Sequence, residues 1–144
     1  MEALAPFGLT PASMLRWGIA LVVLVWAVWV YNRLVRLRNE IANAFAQIDV
    51  QLKRRHDLVP NLVDVARKYL QHERETLEAV TQARGGAQRA ADRAREAPAD
   101  PARIGALAAA EGLLGGALGR LMAVVEAYPE LKADKTMREL AEEL

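Results

Sequence analysis

Among its 144 residues the chain has no cysteine. Disulfides, thiolate zinc sites and cysteine nucleophiles are excluded. Serine is almost as scarce: Ser13 is the single one, placed just ahead of an apolar run, with neither of the two histidines nearby. A serine nucleophile needs an adjacent base, so a serine hydrolase has no place here. The chain also lacks a charge bias, since its net charge is +1 and nothing global recruits nucleic acid. Strand-like alternation of apolar and polar residues is missing from every segment. That leaves an all-α protein.

The charge that is present is unevenly placed. From Asn32 to Arg95 there are 13 basic and 8 acidic side chains; from Glu96 to Leu144 there are 5 and 9. Halves of opposite sign suit packing against each other.

The longest uncharged run is WGIALVVLVWAVWVY, Trp17–Tyr31. Fifteen helical residues span roughly 22 Å, short of the ~30 Å hydrocarbon core. Thr10 and Pro11 read as an N-cap and a first helical residue, and the twenty residues from Ala12 to Tyr31 are enough to cross. Trp17 at one boundary, with Trp29 and Tyr31 at the other, fits an aromatic belt, and Arg16 can snorkel to the headgroups. A cleaved signal peptide fits worse: Glu2 is the only charge before Arg16. The small-residue site Ala42-Asn43-Ala44 lies beyond the charged run Arg33–Glu40. Arg33, Arg36 and Arg38 follow the span, against Arg16 alone before it. The positive-inside rule therefore puts the C-terminal region in the cytoplasm. The expected division is a short extracytoplasmic N-terminus (1–10), a transmembrane helix (11–31) and a soluble helical bundle (32–144) with a loop near 85–100.

Leu34, Leu37, Ile41, Ala44, Ile48 and Leu52 repeat at three- and four-residue steps, which predicts an amphipathic helix continuous with the membrane span. Asp57 then reads as the cap of a new helix, with Pro60 in its first turn, and the stripe resumes at Leu58, Leu62, Val65, Tyr69, Leu77 and Val80. Residues 85–100, GGAQRAADRAREAPAD, lack large apolar side chains and read as a frayed helix end and a solvated loop. Asp100-Pro101 restarts a helix. Ile104, Leu107, Glu111, Leu114, Leu118, Leu121, Val125 and Tyr128 follow a heptad rhythm that Pro129 ends. A last short helix covers Thr136–Leu144.

The stretch IDVQLKRRHDLVPNLVDVARKYLQHE (48–73) concentrates the residues that could carry chemistry. His56 and His72, 16 residues apart, differ by roughly 24 Å of rise on one helix, too far to share an ion. Neighbouring His72 and Glu73 point about 100° apart. These read as solvated or helix-end groups, and Lys53-Arg54-Arg55 as basic residues that complement a helix C-terminus. An enzyme would need Glu111 to meet His72 or Asp57. Gly112, Gly115, Gly116 and Gly119 sit mid-helix at about 1 kcal/mol each relative to alanine, and four-residue spacing of small residues predicts close helix–helix packing there. Glu111 occupies a stripe position, where an inward charge can fix register or partner at some cost in stability.

The order of these features resembles a known family. NRLVRLRNEIANAFAQIDVQLKRRHDLVPNLVDVARKYLQHERETLEAVTQAR and VEAYPELKADKTMRELAEEL are similar to the LemA family of bacterial membrane proteins. The combination of IDVQLKRRHDLVPNLV, the later HE, Ala83-Arg84 and YPELKA carries the likeness, over Asn32–Arg84 and Val124–Leu144. The resemblance implies a membrane-anchored antiparallel helical bundle on the cytoplasmic side of the bacterial inner membrane, and it supplies no catalytic residues. Chains of this family continue into a further long helix where this sequence stops at Leu144, so a last helix is expected to be missing.

The expected function is a noncatalytic, membrane-anchored scaffold or interaction module, with a sensor that passes helix register across the membrane as the alternative. Catalytic, cofactor and metal residues are expected to be none. The bilayer, further copies of the chain or another membrane protein are the expected partners, with no nucleic acid and no small-molecule substrate.

Overall fold

A computed structural model describes residues 11–144, which are helical throughout apart from short turns. The helices are α1 (Pro11–Arg67), α2 (Arg74–Glu96), α3 (Pro101–Glu126), α4 (Pro129–Ala133) and α5 (Lys135–Glu143). The expected extracytoplasmic N-terminus and the Thr10 cap lie outside the described residues. The chain divides after Glu40 into two compact units.

The first unit is the N-terminal part of α1. Its apolar side chains face outward all round: Leu21, Leu24, Trp26 and Trp29 are each more than 60% exposed. A helix that is apolar on every face has no water-soluble side. α1 is long and apolar enough to cross a bilayer, and none of that stretch is buried within the protein. α3 also passes on length and composition, but its Leu114, Leu118 and Leu121 are buried in the second unit's core.

The second unit, from Ile41 to Leu144, packs the rest of α1 against α2 and α3. Phe45 of α1 meets Ala91 and Ala94 of α2 and Leu107 of α3. Val59, Leu62 and Val63 share a larger cluster with Leu77 and Val80 of α2 and with Leu114, Leu118 and Leu121 of α3. Rising numbers on α1 and α3 thus match falling numbers on α2, the order of an antiparallel three-helix bundle. Leu131 of α4 and Met137 of α5 close the end of the larger cluster. α3 begins as its sequence predicts, with Asp100 accepting from the Ala102 backbone N–H at 2.9 Å and Pro101 in the first turn.

Four expectations need correction. The corner is not at Asp57: α1 runs through Pro60 to Arg67, and the chain reverses over 68–73. Nor does the chain become a loop at Gly85. α2 continues to Glu96, and Ala87, Ala91 and Ala94 are fully buried. Alanines carry little apolar weight in a sequence pattern, yet they let α2 sit close to its neighbours; only 97–100 is non-helical. The stripe of α1 is out of phase as well. Ile41, Ala44 and Ile48 are exposed, and the buried positions run through Phe45, His56, Val59 and Val63. Finally, the glycines of α3 make no tight contact with another helix of this chain: Gly115 alone has a neighbour, the Arg55 side chain at 3.8 Å. A Cβ built on Gly112, Gly116 or Gly119 would meet nothing within 4 Å.

Candidate functional site: a charged layer in the bundle core

Each helix of the bundle has an inward seam with alternating three- and four-residue steps, and each seam is broken by one polar residue at the same height. On α1 the seam Leu52, His56, Val59, Val63 carries a histidine; on α2 the seam Leu77, Val80, Arg84, Ala87 carries an arginine; on α3 the seam Leu107, Glu111, Leu114 carries a carboxylate. The layer lies between the two apolar clusters.

His56 is 2% exposed, and its Nε2 lies 2.6 Å from Glu111 Oε1. A carboxylate only accepts, so the imidazole donates. The other oxygen, Oε2, accepts from Arg55 Nη1 at 3.2 Å. The inward charge expected at Glu111 is therefore present, with two donors from α1. Lys53-Arg54-Arg55 does not end a helix as expected: Arg55 serves this carboxylate, and Arg54 lies 3.7 Å from Glu143, an exposed pair of little energetic weight. Both contacts join the basic half of the sequence to the acidic half.

Arg84 does something the sequence reading missed. Its Nε donates to the backbone carbonyl of His56 at 2.5 Å. In an unbroken helix that carbonyl would accept from residue 60, but Pro60 has no N–H to give. Arg84 thus supplies from α2 the hydrogen bond that proline removes from α1. This explains how a helix passes through Pro60 and why the corner moves to 68–73. The signal was there in two pieces, a mid-seam proline and a charged residue on the seam of the next helix, but pairing them required the bundle register.

The other candidates do not join the layer. His72 is exposed in the corner, Asp57 is exposed on α1, and Glu73 precedes α2 without a side-chain capping bond. Glu111 meets His56 rather than His72 or Asp57. No group of three or more His, Asp or Glu side chains among the described residues is placed to hold one metal ion. At the far end of the bundle, Asp134 caps α5 by accepting from the Met137 backbone N–H at 3.1 Å, and the Tyr69 hydroxyl donates to it at 3.0 Å. The Met137 amide and then Tyr69 hold the Asp134 carboxyl below its ordinary value, and the bond to Asp134 pushes the Tyr69 hydroxyl up.

An apolar N-terminal helix and an antiparallel helical bundle divided by a charged layer define an all-α protein with a candidate membrane anchor. The chain belongs to the LemA family, whose model matches residues 44–144. Comparison with curated proteins finds no match.

Proposed function

We propose that the protein is a noncatalytic, membrane-anchored helical scaffold that works as an oligomer, set in the bacterial inner membrane with its bundle in the cytoplasm. The observation that carries the reading is the uniformly exposed apolar surface of α1 over its N-terminal stretch, with Trp17 72% and Tyr31 67% exposed at its ends. Only a bilayer or apolar partners can cover such a helix. The ionisable groups of the core support the noncatalytic part: His56 and Glu111 hold one another, and Arg84 holds the backbone. Arg33, Arg36 and Arg38 support the cytoplasmic placement. The test is alkaline extraction of membranes followed by light scattering of the detergent-solubilised chain. Retention in the pellet with a mass above one protomer is expected; release into the supernatant, or a strict monomer without a crosslinked partner, sinks the reading.

A second reading, a sensor that passes helix register across the membrane, draws on the continuity of α1 as one helix from Pro11 to Arg67. Inserting one residue at Asn32 rotates everything beyond it by about 100°. An unchanged cellular phenotype would remove this reading.

A further inference from the structure

Gly112, Gly116 and Gly119 of α3 each cost about 1 kcal/mol relative to alanine, and a Cβ on any of them would have open space among the described residues. Between two of them Leu113 is 72% exposed. Seven residues on, Arg120 is exposed and makes no ion pair among the described residues. The outer face of α1 has a shallow hollow bounded by Val50, Lys53, Arg54, Asp57, Leu58 and Asn61. Seven residues beyond Asp57, Asp64 is exposed and likewise without an ion pair among the described residues.

These two faces match in height and in charge. α1 and α3 run in the same direction with His56 beside Glu111, so Leu58 stands level with Leu113, and Asp64 with Arg120 to within one residue. The spacings are six residues on α1 and seven on α3, roughly 9 and 10 Å of rise. Two copies lying in parallel bring these faces together at equal height.

Building on the oligomeric scaffold, we propose that copies of this chain associate side by side, with α3 of one copy seated on the outer face of α1 of the next. Leu113 enters the hollow between Val50 and Leu58 of the neighbour, and Arg120 pairs with the neighbour's Asp64. Gly112 and Gly116 let the two backbones approach closely. The contact joins unlike faces, so it builds a ring or a row rather than a closed pair. Two α3 faces meeting about a twofold axis would instead set Arg120 against its own copy.

The absence of cysteine makes the test clean. Arg54→Cys and Ala109→Cys place thiols at equal heights on the two faces, both at exposed positions and neither at a glycine of the contact. The full chain carrying both is oxidised in native membranes and run without reductant. A ladder of dimers, trimers and higher species is expected from the double variant, a monomer from each single variant, and dimers only when the two single variants are co-expressed. Adding Arg120→Glu should weaken the ladder several-fold, and adding Asp64→Arg with it should restore it. No intermolecular disulfide in a double variant of normal helicity overturns the proposal, as does a dimer from Ala109→Cys alone. Amine crosslinking of the unaltered chain separates the outcomes: oligomers there mean that the scaffold stands on another contact, and monomers mean that it falls too.

Discussion

Replacing Glu111 with leucine removes the one acceptor that serves both Arg55 and the buried His56 imidazole. His56 is 2% exposed and its Nε2 lies 2.6 Å from the carboxylate, so it cannot turn to water without opening the bundle. Breaking a buried pair from one side costs about 3–5 kcal/mol. In a domain of this size each kcal/mol moves the thermal midpoint by roughly 4–8 °C, a fall of roughly 12 °C or more. His56→Leu is milder, about 1–3 kcal/mol, because Arg55 still serves the carboxylate. The double variant joins the two apolar clusters through leucine, and Arg55, whose side chain is 29% exposed, can reach solvent. Replacing a buried pair by apolar residues is often neutral or stabilising by about 1–4 kcal/mol, so the double variant should match or exceed the parent. The assay is a double-mutant cycle followed by circular dichroism under heat and urea, with a coupling of roughly 2 kcal/mol or more expected. Strict additivity of the two losses, or a neutral Glu111→Leu, would refute the argument that the layer is a mutually dependent unit. Broadened amide spectra in a stable double variant would add that the layer sets register rather than stability.

Arg84→Gln should cost about 1–3 kcal/mol by stranding the His56 carbonyl, and Pro60→Ala in the same chain should recover most of it by restoring the helix's own donor; a lack of recovery in urea melts would remove the proposed link between them. The ionised Asp134 is favoured in the folded state, so its contribution is present at neutral pH and fades as the pH falls below about 4, its ordinary value. Tyr69 shifts upward, so the neutral hydroxyl's contribution is present below about pH 10 and is lost as the pH rises through its raised folded value. Asp134→Asn should flatten the acid limb of a stability–pH curve; an unchanged limb contradicts the pairing. Asp100→Ala removes the cap of α3 and should cost about 1 kcal/mol in the same melts.

The periodicity of the residues determines much of this protein. An uncharged run bounded by aromatics, the Asp100-Pro101 start of α3, and the heptad from Ile104 to Tyr128 with Glu111 facing inward are all local patterns of side-chain spacing. Such patterns act within one helix and are legible without neighbours. What the tertiary structure decided were matters between helices. Pro60 stops a helix by local rules, yet α1 continues because Arg84, on a different helix, donates to the orphaned carbonyl. Ala87, Ala91 and Ala94 say little about burial alone, and become core only because α2 lies close to its neighbours. The phase of the α1 stripe moved by about one residue for the same reason: several faces were apolar enough, and the partners at Leu107 and Leu114 selected one. His56, read as a solvated histidine at a corner, is a buried donor because the bundle sets it 2.6 Å from a carboxylate 55 residues away. Sequence spacing fixes which residues share a face; which face is buried, and which charges meet there, depends on long-range packing that no single helix encodes.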